Sequence, residues 1–236
     1  LSIGVHLLNL VTIPALALIY YFKKYKKITI TGLGTTLLIG LAFIVLINII
    51  IIPGLPSLAG AFEIYFVNGI GLPFNSGLIV FLLLLFGGLI FGIIYSEKSQ
   101  KLILNTTLLA VTFILIGISC NTVVLIRSNY DTPIDENNPE DLINYVSYLK
   151  REQYGNRPLL KGQYFTADLI DQKKGDPVYM KGEDKYVVKD YKVEYEYDPK
   201  HTTILPRMYS KSPDGGHQRM YREITGLREG EKPKFT

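Results

Sequence analysis

Four apolar runs, at residues 1–22, 28–52, 78–95 and 102–126, constrain this chain more than any other feature. A helix needs about 20 apolar residues to cross a hydrocarbon layer ~30 Å thick, and helices satisfy their own backbone polar groups there. Charge divides in the same way. Residues 1–126 hold six lysines and two glutamates, a net of +4, whereas residues 127–236 hold 19 basic and 19 acidic groups. The whole positive excess therefore belongs to the apolar half, where it speaks of membrane orientation and argues against a nucleic-acid protein. A single soluble globule is excluded. One cysteine, Cys120, leaves no disulfide framework and no cysteine-based zinc site.

The short loops set an orientation. KKYKK at 23–27 places four lysines between the first two runs, SEKSQK at 96–101 places two between the last two, and the connection 53–77 has none. By the positive-inside rule the lysine loops are cytoplasmic, and the middle connection and everything after Ile126 lie outside. Tyr20, Tyr21, Tyr25 and Tyr95 fall at the cytoplasmic edge, where amphipathic rings belong. The chain opens without a basic n-region or a cleavage site and reads as an internal piece of a longer protein. The expectation is a membrane α-helical fold with four transmembrane helices (1–126), followed by a small external α+β domain (127–236).

The connection 53–77, PGLPSLAGAFEIYFVNGIGLPFNSG, is too apolar for an exposed loop and too broken by Gly and Pro to span, which suits an interfacial or re-entrant element. Glu63 is its single acid, with Asn68 and Asn75 nearby. An acid in apolar surroundings is costly unless paired. Two readings stand: Glu63 faces a cavity at the outer membrane surface and binds a cation or a substrate hydroxyl, or it points to water from an interfacial helix. His6, Asn9, Asn48, Asn105 and Asn121 fall at membrane depth, where such groups bond neighbouring helices. Pro14 in the first run is tolerable where neighbours satisfy the freed carbonyl.

In the external half Asn138 suits an N-cap and Pro139 the first helical position. Leu142, Tyr145, Val146 and Leu149 then repeat at helical spacing, which predicts a helix over about 139–152. Residues 185–197 alternate, with Tyr191, Val193, Tyr195 and Tyr197 on one face and Lys192, Glu194 and Glu196 on the other. That is the period of a half-buried strand, with 178–180 as its hairpin partner. Twelve of the seventeen tyrosines are here, which suits sugar stacking or a small domain packed on a membrane protein. The acids Asp131, Asp135, Glu136, Glu140 and Asp141 lack calcium-loop spacing and fit helix capping and a solvated lead. No divalent cation or other cofactor can be argued, and no metal ligands are named. Arg207, His217, Arg219 and Arg222 lie in Gly/Pro-punctuated stretches, as anion-binding forks or as surface arginines.

The segments FEIYFVNGIGLPFNSG (62–77), PIDENNPED (133–141), LKREQYGNRPLLKGQYF (149–165) and LPRMYS (205–210) resemble successive segments of a large bacterial membrane-protein family. That family is similar to the protein O-mannosyltransferases of the GT-C glycosyltransferase superfamily. The resemblance implies an enzyme of the bacterial cytoplasmic membrane, with its external part periplasmic. It would move a sugar from a polyprenyl-phosphate donor, a membrane lipid, to a protein or glycan hydroxyl at the outer face. The acidic residue that such enzymes carry in a first external loop has no counterpart here, so no catalytic residue is assigned. Glu63, Asn68, Arg157 and Arg207 are candidates for shaping a substrate site or holding a phosphate. The alternative is a non-enzymatic, membrane-anchored periplasmic binding or assembly module.

Overall fold

The computed structural model describes residues 7–135, 138–154, 160–164, 167–204, 216–228 and 230–231, without the side chains of 7 and 216–218. Two compact units divide the chain. The first holds Leu1–Gln153 with Met180–Val187, and the second holds Tyr154–Tyr179 with Val188–Thr236.

The first unit is helical. A 3-10 turn, Leu7–Val11, leads into α1 (Thr12–Lys24), and the KKYKK loop joins it to α2 (Ile30–Val45). Thr29 starts α2 by accepting the Gly32 N–H at 3.1 Å. Pro14 sits in the first turn of α1, where its missing N–H has no helical partner to lose. Gly40 brings α1 and α2 together: a Cβ there would lie 2.8 Å from Pro14 Cα, so only hydrogen fits. Each lysine cluster pairs one lysine with a helix tyrosine, Lys24 Nζ donating to Tyr20 Oη and Lys101 Nζ to Tyr95 Oη, each at 3.0 Å.

Past α2 the helix does not stop at the prolines. It widens into a π-helical turn, Leu46–Ile51, then resumes as α3 (Gly54–Ile64) and a second π-helical turn, Tyr65–Ile70. Pro53 precedes α3 and Pro56 lies in its first turn, positions that need no backbone donor, so Pro-rich sequence and helix coexist here. The break comes at Gly71, at φ 83° in the left-handed region. After the loop 71–75 come α4 (Ser76–Lys98), α5 (Leu102–Ser119) and, through a 3-10 turn, α6 (Val123–Ser128).

Three helical stretches, Ile30–Ile70, Ser76–Lys98 and Leu102–Ser128, are long and apolar enough to cross a membrane. The expected four spans are thus not all found. Among the described residues the first apolar run forms only the 13 residues of α1 and the short turn before it. Large side chains such as Ile30, Leu83, Phe91 and Ile103 are exposed on these helices, as lipid-facing side chains are. Asn105 behaves as a packing residue, its Nδ2 donating across to Ile93 O at 3.3 Å and to the buried Ser96 Oγ at 3.0 Å. His6 lies outside the described residues.

The helix predicted over 139–152 is α7 (Leu142–Leu149), shorter than expected. Asp141, not Asn138, caps it, accepting the Asn144 N–H at 2.9 Å. Asn138 adopts φ 41° and bends the chain ahead of the helix. Leu149 packs on a small core of Leu10, Ile47 and Ile52, and α7 lies against α3.

In the second unit β1 (Lys161–Gln163) pairs antiparallel with β4 (Thr202–Ile204), Gly162 opposite Thr203. The predicted hairpin forms from β2 (Leu169–Lys181) and β3 (Tyr186–Tyr197), much longer on its first strand than expected. The tyrosine face expected to be half buried is open: Tyr191 is 42% and Tyr195 56% exposed. Lys173 bridges to Glu196 at 2.5 Å, and Lys174 lies over the Tyr191 ring. Arg219 and Arg222 sit on a helix, α8 (Gly216–Thr225), rather than in a loop, with Arg219 paired to Glu223 at 3.0 Å. A small sheet region thus follows the membrane-type helices.

Candidate functional site

Glu63, near the end of α3, is fully buried, with 0% of its surface exposed. Its Oε1 accepts the Asn75 N–H at 2.5 Å and its Oε2 the Leu78 N–H at 3.0 Å, so the carboxylate caps the first turn of α4. Helix starts leave N–H groups without partners and carry a partial positive charge, and a carboxylate satisfies both needs. Gly77 makes the approach possible, because a Cβ there would collide with Glu63 Cα, Glu63 N and Phe62 O. Asn75 turns the chain into the helix at φ 71°.

The tip of the β2–β3 hairpin closes the same place. Tyr186 Oη donates to Glu63 Oε1 at 3.4 Å, and the Tyr186 ring meets Phe74 edge-on, centroids 5.1 Å apart. Asn68 pairs with the backbone of Tyr186 in both directions, Nδ2 donating to the carbonyl at 2.7 Å and Oδ1 accepting the N–H at 2.9 Å. A side-chain amide thereby acts as one residue of a neighbouring strand. Lys181 Nζ stands 4.9 Å from the centre of the Phe74 ring.

The structure therefore brings Glu63 and Asn68 together, on Tyr186. Glu63 does not point to water. Both its oxygens accept donors from the protein itself, and with 0% of its surface exposed it is closed to an incoming cation or hydroxyl while the hairpin tip stays docked. Arg157 and Arg207 lie outside the described residues. Sequence reading missed Tyr186 for a plain reason: its even register places it with Lys192, Glu194 and Glu196, on the face assigned to solvent. Gly77 also carried no signal, since a clash with a helix 14 residues earlier in the chain is invisible to periodicity.

A second polar cluster stands at the end of α6. The buried Ser128 Oγ donates to Asp135 at 2.8 Å. Asn138, its amide oriented by the acceptors around it, donates to Asp135 Oδ2 at 2.8 Å, Glu140 Oε1 at 3.1 Å and Ser128 Oγ at 3.2 Å. These acids hold the turn between α6 and α7. Among the described residues no three of His, Cys, Asp and Glu come together as a metal shell would require.

The first unit has a cavity at this turn and another at the C-terminal end of α7. One, about 370 Å³, is lined by Arg127, Thr132, Asp135 and Tyr148. The other, about 510 Å³, has apolar walls from Leu10, Ile44 and Ile52, with Asn48, Lys150 and Arg151 as its polar residues. Sizes of this order accommodate small organic ligands.

Burial holds the Tyr186 phenol well above its ordinary value, and the Glu63 charge adds to the rise. Burial likewise pushes Tyr145 up to about 12, with Tyr148 as a minor cause.

Residues 1–29 match the protein O-mannosyl-transferase TMEM260 N-terminal domain, and residues 155–236 match a family of unknown function, DUF8416. No curated protein and no solved structure matches. The O-mannosyltransferase match ends one residue before α2 begins, so it includes neither cavity as a whole nor the Glu63 cap.

Two outcomes follow from this geometry. Glu63→Ala strips the acceptor from two part-buried N–H groups and should cost about 1–2 kcal/mol. Amide exchange in detergent should accelerate selectively at residues 75–79, and unchanged protection there would refute the cap. The pH dependence follows from the raised phenols. Below the unfolded value of 10.0 both states keep the proton and stability is level. Above it the unfolded chain releases protons that the folded chain retains, so stability falls as pH climbs toward the raised folded values. Ultraviolet phenolate titration should show two late tyrosines, and Tyr145→Phe with Tyr186→Phe should remove them and the alkaline loss.

Proposed function

We propose that this chain is part of an integral-membrane glycosyltransferase of GT-C type, moving a sugar from a polyprenyl-phosphate donor to a protein or glycan hydroxyl at the outer face of a bacterial cytoplasmic membrane. The match of residues 1–29 to an O-mannosyltransferase domain carries the reading, and the three span-capable helices are compatible with it. In such a transfer the acceptor oxygen attacks the anomeric carbon, the bond from that carbon to the phosphate oxygen breaks, polyprenyl phosphate leaves, and the acceptor proton passes to a base. Glu63 is a poor base because its oxygens already accept three donors. The base then comes from another residue. Glu63, Asn68 and Tyr186 act by holding the loop 71–75 and the hairpin tip in a fixed outer-surface arrangement. Arg157 and Arg207 remain phosphate-holding candidates in this proposal.

Membranes carrying the full-length protein should transfer radiolabelled mannose from polyprenyl-phosphate mannose to acceptor protein, and membranes lacking it should not. No transfer, together with unchanged envelope glycosylation in a deletion strain, would favour the assembly-module alternative. Orientation is tested separately. Ser128 is buried, so a labelling cysteine belongs at Tyr130, which is 79% exposed. In a Cys120→Ser background, Tyr130→Cys should react with a membrane-impermeant thiol reagent from outside and Ser99→Cys should not. The opposite pattern would place residues after Ile126 in the cytoplasm.

A further inference from the structure

The larger cavity has a composition that the proposed transfer reaction does not explain. It is lined by Leu10 and Ile52 of the packed core, by Ile44, and by the two consecutive cations Lys150 and Arg151. Both cations are exposed, and neither has a carboxylate partner among the described residues. Among the described residues no acid lines the cavity. Asn48, on the helix wall, adds an amide whose Nδ2 is otherwise spent on Ile44 O at 3.1 Å.

Arg151 is held against its backbone preference. It follows the C-cap Lys150 of α7 and sits at φ 54°, the left-handed position where helices favour glycine. Its N–H still closes the helix by donating to Tyr148 O at 3.0 Å, a bond that any residue supplies. Glycine would serve the helix end better, so the position is spent on the side chain. An apolar cleft beside a span-capable helix, lined also by two cations that have no acidic partner among the described residues, complements one kind of molecule: an amphiphile with hydrocarbon tails and an anionic head.

We propose that this cavity is a binding site for an anionic phospholipid of the surrounding bilayer, one acyl chain lying along Ile44 and Ile52 and the phosphate held by Lys150 and Arg151. The seated lipid joins α7 to α2 and to the turn before α1. The site needs membrane residence only and does not depend on glycosyl transfer.

The test uses the full chain purified in detergent, with native mass spectrometry counting retained phosphatidylglycerol against phosphatidylcholine. The wild-type protein should keep phosphatidylglycerol preferentially. Lys150→Gln with Arg151→Gly should weaken that retention roughly 25-fold, about five-fold for each cation. Arg151→Gly alone should weaken it about five-fold while leaving thermal stability unchanged or higher, an outcome that a purely structural role for Arg151 would not give. Ile44→Trp, which fills the wall, should lower retention with both cations intact. Equal retention of the two lipids, or indifference to these substitutions, would overturn the site. Displacement by inorganic phosphate alone would reduce it to a phosphate site and overturn the lipid assignment. Displacement by polyprenyl phosphate at lower concentration than phosphatidylglycerol would give the cavity to the sugar donor and equally overturn it.

Discussion

A buried carboxylate with no basic side chain bonded to it organises the helical unit. Glu63 could not be sealed at 0% exposure in apolar surroundings unless its charge met compensating donors. The first turn of α4 supplies two N–H groups and a helix dipole, and Tyr186 supplies a hydroxyl. Each component needs the others. Without Gly77, α4 could not reach Glu63; without Glu63, the Asn75 and Leu78 N–H groups would lose their acceptor. The hairpin tip completes the enclosure, which explains why residues 180–187 group with the helices while the rest of the hairpin belongs to the second unit. One buried carboxyl group thus couples a helix end, a helix start and a strand start in a single arrangement.

Asn68 shows how such docking is made specific. Shape alone would let the Tyr186 ring slide against Phe74, but an amide that both donates to and accepts from one peptide unit fixes the strand in register. The cost of desolvating that peptide unit is recovered only at this position, so a shift of the hairpin by one residue would turn Tyr186 away from Glu63.

Periodicity revealed the elements and hid their meetings. Apolar runs located the membrane-type helices, and alternation over 185–197 located β3, because both signals are local. The helix boundary failed by a few residues because Asn138 and Asp141 are equally good caps in sequence, and the bonds to Ser128, Asp135 and Glu140 that occupy Asn138 depend on the turn after α6. The prolines at 53 and 56 read as breakers, although both fall where a helix start tolerates them. Glu63 and Asn68 stood out as polar residues in apolar surroundings. Their partner Tyr186 lies 123 and 118 residues away and carries the parity of a solvent-facing residue. That pairing belongs to tertiary structure.

Charge distribution ties these observations together. The helical half concentrates its excess of lysine in two loops and buries one acid, Glu63, against a helix start. Electrostatic freedom in the first unit is thereby pushed to the turn around α7. Asp135 and Asp141 there are consumed by Ser128 and by the helix cap, whereas Lys150 and Arg151 are left without acidic partners among the described residues. Cations at a helix C-terminus are individually favourable because they face its negative end. Two in succession, the second in a left-handed conformation and both lining an apolar cavity, exceed what that end requires. The excess is positive, adjacent to hydrocarbon and open, and in a bilayer the abundant species that matches all three conditions is an anionic lipid head.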